Sequence, residues 1–141
     1  MTSTPKPAQP ISPAAYGALA GALKSIFWYK RDLERFIRLW ATDHPSLLAH
    51  MDFSGYKWAT ADEFVDRLMA NERRYRDFSL RMMAEVSQLT SFPALKRHES
   101  AESLIAEARE AVDHLKGWWT ASVLPTSNRR SSMMSFSRTA L

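Results

Sequence analysis

The sequence predicts an all-α protein, a compact bundle of five or six helices. Three observations carry this. Apolar residues recur at three- and four-residue spacing through most of the chain, the period of one helix face. Start and stop signals punctuate that pattern at Ser12-Pro13, Pro45, Thr60 with Glu63, Phe92-Pro93 and Ser100. Only four glycines stand in 141 residues, too few for a turn-rich β architecture.

Residues 1–11 carry Pro5, Pro7 and Pro10 among small and polar residues, so they read as a disordered leader. Ser12 can cap free amides and Pro13 is tolerated in a first turn, so helix 1 is expected from Pro13 to about Trp28. Tyr16, Leu19, Leu23, Ile26 and Phe27 share its apolar face, and Gly17 and Gly21 read as a groove that lets another helix approach. The stretch LKSIFWYKRDLERFIRLW changes phase near Trp28 to Lys30, which places a hinge there. A second helix follows with Leu33, Phe36, Ile37 and Trp40 inward, closed by Pro45, and a short helical turn spans Ser46 to Met51. DFSGYKWA, residues 52–59, reads as the central loop.

Thr60 and Glu63 have the spacing of a capping box and predict a helix start. Periodicity then runs to about Leu89, long enough to require a break near Asn71. A short helix is expected from Phe92 to Lys96, and a last one from Ala101 to about Trp119 with Leu104, Ile105, Ala108, Ala111, Val112, Leu115 and Trp118 or Trp119 inward. Residues 12–122 thus form one domain, and the serine-rich basic segment 123–141 reads as a disordered tail.

Composition excludes several functions. Without cysteine there is no zinc-thiolate site, iron–sulfur cluster or thiol nucleophile. The net charge of +4 suggests nucleic acid, but acids are mixed with bases through the helices and the excess belongs largely to the termini. The apolar run after Lys6, from Pro13 to Leu23, lacks a signal-peptide cleavage site and is too short to span a membrane before Lys24. A cytoplasmic protein with no membrane partner is expected.

Asp43, His44, His50 and Asp52 are of metal-ligating type, but their spacing does not put them on one face, so no metal and no cofactor is expected. Arg109 with His114, and Arg38 with His44, resemble the arginine-to-histidine motif of HEPN ribonucleases, in which such a pair acts on an RNA 2′-hydroxyl and phosphate. Glu110 and Leu39 depart from the polar residue that follows the arginine in that motif. The arginines Arg73, Arg74, Arg76 and Arg81 share their helix with Asp66, Glu72, Asp77 and Glu85 and read as a solvated face with ion pairs rather than a nucleic-acid stripe. Met69, Met82 and Met83 read as core. The aromatics at the hinge and loop, Trp28, Tyr29, Phe53, Tyr56 and Trp58, are not needed for core packing and form a candidate interaction patch.

Over Pro13 to Val112 the chain resembles the N-terminal helical module of large bacterial proteins that carry helicase or other ATPase domains, and more loosely the effector-associated and death-like domains of bacterial conflict systems. Phe27, Leu33, Phe36, Phe92, Pro93 and Leu95 carry the likeness. It implies an adaptor in a defence or stress system whose partner is another protein, a helicase/ATPase or effector component, with a homo-oligomer as a further arrangement and no catalytic residue. The non-enzymatic adaptor reading names Trp28, Tyr29, Arg31, Arg35, Tyr56 and Trp58 as partner-binding. Its alternatives are a small HEPN-like ribonuclease using Arg109 and His114, and a nucleic-acid-binding bundle.

Overall fold

Ser12 starts the first helix as its neighbours dictate. Its Oγ accepts from the N–H groups of Ala14 at 3.0 Å and Ala15 at 3.3 Å, and Pro13 fills a first-turn position whose missing N–H costs nothing. The computed structural model describes residues 10–123, with side chains as far as Trp118. It contains α1 (Pro13–Ile26), α2 (Lys30–Trp40), α3 (Pro45–Leu48), α4 (Lys57–Ala70), α5 (Glu72–Ser87), a single 3₁₀ turn (Pro93–Leu95) and α6 (Ala101–Val123), and no strand among the described residues. The fold is the expected all-α bundle. The expected disordered leader and tail lie outside the described residues except for Pro10, Ile11 and Val123.

α1 is the axis of the bundle and packs against α6, α4 and α5. Eight of its fourteen residues are buried, among them Tyr16, Leu19, Leu23 and Ile26. Ala15, Ala18 and Ala22 are also buried, and side chains this small let neighbouring helix axes come close. The glycines do not serve that purpose. A Cβ built on Gly17 or Gly21 meets nothing within 4 Å, so the expected groove is corrected to an open strip. Around α1 the core is completed by Phe64, Leu68, Phe78, Met82, Met83, Leu95 and Leu115, each buried and each contributing about 1.5–3 kcal/mol of transfer free energy.

Ile11, assigned from sequence to the leader, is part of this core at 2% exposure. It stands just before the Ser12 cap and Tyr16 four residues into the helix, the positions of a hydrophobic staple. Glu72 at the start of α5 locks the arrangement. Its carboxylate accepts from the Ile11 N–H at 3.1 Å, the Tyr16 hydroxyl at 2.9 Å and Arg76 at 3.2 Å. Burial first, and then the hydrogen bond to Glu72, raise the Tyr16 hydroxyl well above the ordinary phenol range.

The break between α4 and α5 falls at Asn71, as expected, with φ −119° and ψ 38°. A second non-helical residue, Tyr75, kinks α5 itself. Three boundaries differ from expectation. α1 stops at Ile26 because Phe27 is extended, and α2 stops at Trp40, so that Pro45 opens α3 instead of closing α2. α4 begins at Lys57, one turn before the capping box. Thr60 is consequently inside the helix and buried, its Oγ1 without a hydrogen-bond partner among the described residues, while Glu63 pairs with Arg67 at 3.3 Å.

Candidate functional site

Three non-helical residues, Phe27, Trp28 and Tyr29, join α1 to α2, and the first and last of them are extended. With Phe27 turned inward against Phe36, at 5.1 Å between ring centroids, the next two aromatics face outward. Trp28 is 43% and Tyr29 42% exposed. Each ring is nevertheless held. The Trp28 ring meets His98 at 4.4 Å and carries the Lys57 ammonium at 5.1 Å over its face, and Arg97 lies 5.6 Å above Tyr29 while pairing with Asp32 at 2.8 Å.

The segment between α3 and α4 presents the other two rings. Arg67 donates to the carbonyls of Leu47 at 3.3 Å and Ala49 at 2.5 Å, which fixes the end of α3. Asp52 accepts from the Ser54 hydroxyl and, in an Asx turn, from its N–H at 2.8 Å; the hydroxyl first and then the N–H hold the Asp52 carboxyl below the usual range. Phe53 is pinned from α2, its carbonyl accepting from Lys30 and its ring lying under Arg38 at 4.2 Å. Tyr56 and Trp58 then stack on each other at 6.0 Å with planes 9° apart, yet remain 74% and 57% exposed.

Lys57 joins the two halves. It sits between Tyr56 and Trp58 in sequence, donates to the Phe27 carbonyl at 2.8 Å and reaches the Trp28 ring. Burial lowers its pKa. Lys57 thus links Trp28 to the segment that carries Tyr56 and Trp58, and the four exposed rings stand as two pairs, Trp28 with its chain neighbour Tyr29 and Tyr56 stacked on Trp58. Sequence reasoning missed Lys57, His98 and Arg97. Arg97 and His98 follow the 3₁₀ turn and come from 65 or more residues away, a placement that local spacing does not encode.

Arg31 and Arg35 lie apart from the rings, on the outer side of α2. With Glu34, Arg38 and Leu39 they line a depression of about 440 Å³, in which Arg38 pairs with Glu34 at 3.0 Å and Leu39 is 68% exposed. The outer side of α4 carries a second depression of about 520 Å³, lined by Trp58, Asp62, Glu63, Asp66 and Arg67 along with Ala59, Ala70 and Asn71.

The other candidates fall as follows. Arg109 and His114 are both exposed on α6, and the His114 Nε2 accepts from the indole N–H of Trp118 at 3.2 Å. Arg38 is engaged with Glu34 and Phe53, and His44 packs edge-on to Tyr75 at 5.8 Å and Phe78 at 5.4 Å. Trp118, one of two residues expected to turn inward, is 40% exposed, and the Trp119 side chain lies outside the described ones. Met82 and Met83 are core as expected, but Met69 is 40% exposed. Of the arginine run, Arg76 pairs with Glu72 as an ion-pair face requires, and Arg74 lies 5.4 Å over Tyr75. Among the described residues, no three His, Asp or Glu lie together so as to hold a metal ion, and no helix is long and apolar enough to cross a membrane.

Comparison with protein-family models, with curated proteins and with solved structures finds no match for this chain.

Proposed function

We propose that the chain is a non-enzymatic adaptor or regulatory subunit that binds another protein through Trp28, Tyr29, Arg31, Arg35, Tyr56 and Trp58. One observation supports this above the rest: four large aromatic side chains stand 42–74% exposed in two pairs, Trp28 with Tyr29 and Tyr56 with Trp58, held by cations, a histidine and one another rather than by the core. Exposed rings are costly to solubility and bring little to folding, whereas rigid rings of this size dominate binding energy when a partner covers them. Because the rings are already oriented, little side-chain entropy is lost on docking. Arg31 and Arg35, on the outer side of α2, add charge that selects an acidic counterpart.

The setting follows from the resemblance in the helix pair and the Phe92-Pro93 turn: the bacterial cytoplasm, a defence or stress system, and a helicase/ATPase or effector component as partner. The test is affinity purification of the tagged chain from its native cell, with mass spectrometry and a nuclease-treated control. A stoichiometric protein that survives nuclease and is lost on Trp28→Ala with Tyr56→Ala supports the adaptor. RNA that survives washing, together with cleavage abolished by His114→Ala, would move the reading to the HEPN-like ribonuclease.

A further inference from the structure

The two depressions on α2 and α4 are opposite in charge and similar in form. The α2 face presents three arginines against one glutamate, and the α4 face presents three acids against one arginine. Some of these charges are engaged: Arg38 with Glu34, Arg67 with Glu63, and Asp62 with Lys24 at 2.7 Å. Arg31, Arg35 and Asp66 make no ion pair among the described residues, and all three are exposed. Both faces run along the outer side of a helix at three- and four-residue spacing, over roughly 12 Å from Arg31 to Leu39 and roughly 18 Å from Trp58 to Ala70. Leu39 projects from the first, and the second carries a small residue towards each end, Ala59 and Ala70, which leaves room there for a projecting side chain.

α2 and α4 pack on each other through their inner sides, so neither outer face can reach its complement within one molecule. Both halves of the complement are nonetheless carried by every copy. We infer that the chain self-associates head to tail, the α2 face of one copy docking on the α4 face of a second. Arg31 and Arg35 of one copy meet Asp66 and Asp62 of the other, an antiparallel register that seats Leu39 at Ala59. The two surfaces differ, so the contact is heterologous and leaves a free face at each end of a pair, which grows into a ring or an open chain. This rests on the adaptor reading in its use of Arg31, Arg35 and Trp58, and it names one partner as a second copy.

Sedimentation of the full chain over a concentration series at low salt reads this directly. The wild type is expected to gain weight-average mass with concentration and to lose it as salt rises, because solvent-edged ion pairs are screened. R31E/R35E and D62R/D66R are each expected to weaken association at least about tenfold by placing like charges opposite one another. The fourfold swap R31E/R35E/D62R/D66R in one chain is expected to restore it. A wild type that stays monomeric at about 1 mM, where even weak specific contacts register, overturns the inference, as does a folded fourfold swap that stays monomeric. Should a double variant melt early, R35E and D66R alone alter two unpaired exposed residues and carry the same test. Capture of a heterologous partner that depends on Trp28 and Tyr56 by a strictly monomeric chain overturns self-association while leaving the adaptor standing.

Discussion

α1 and α2 follow one another with three residues between them and are similar in length, 14 and 11 residues, yet they do opposite work. α1 carries one charged residue, Lys24, and buries eight side chains against three other helices. α2 carries six charged residues and buries only Leu33 and Ile37 fully. The difference is one of burial and not of secondary structure. A helix covered on most of its circumference holds the domain together, whereas one covered along a narrow stripe displays the rest of its surface to whatever binds there.

The contrast breaks most visibly at the centre of α1. Leu19→Ala leaves a cavity in a fully buried site and is expected to cost about 2–5 kcal/mol, read as an early thermal melt. An equivalent truncation on α2, Leu39→Ala, is expected to move the melt by less than about 0.5 kcal/mol.

The Glu72 clasp is next in size. Glu72→Ala leaves the Ile11 N–H and the Tyr16 hydroxyl without their acceptor and is expected to cost roughly 1–3 kcal/mol. Its pH signature has a definite sign. The folded state raises the Tyr16 pKa, so it keeps a proton that the unfolded chain releases near pH 10, by order of magnitude. Stability from this group is therefore fully present below about pH 10 and is lost as pH rises beyond it. Tyr16→Phe is expected to be less stable at neutral pH but to lose less stability on the alkaline side, measured by denaturant midpoints across that range.

Smaller and opposite in sign is Gly17→Ala. With open space around the added methyl, the substitution is expected to stabilise α1 by about 0.5–1 kcal/mol, seen as a raised melting temperature. Smallest for the fold is Trp58→Ala, expected within about 0.5 kcal/mol of the wild type because the ring is 57% exposed and stacks on Tyr56, itself exposed.

What the sequence made legible was whatever short-range chemistry determines. Ser12-Pro13 specified a capped helix start, and the over-long periodic run required a break where Asn71 supplies it. Exposure of the hinge aromatics followed from their position between two out-of-phase apolar stripes. Where two local signals competed, the tertiary one won. Thr60 and Glu63 have capping-box spacing, but α4 starts a turn earlier at Lys57, and Thr60 lies buried inside it among Ala61, Phe64 and Val65 on the helix face that packs in the core. Ile11 was hidden by the prolines before it, although Ile11 and Tyr16 flank the cap at staple spacing. Lys57, Arg97 and His98 around the rings were beyond reach, because their roles depend on which distant segments the bundle brings together.

The most direct measurement compares the wild type with Trp28→Ala/Tyr56→Ala/Trp58→Ala in capture from the native cell, alongside thermal melts of both. A partner held stoichiometrically by the wild type and lost by a variant that melts within a few degrees of it is the expected result. Equal capture by both chains would show that the rings do not hold the partner, and a variant that unfolds early would show that they serve the fold instead.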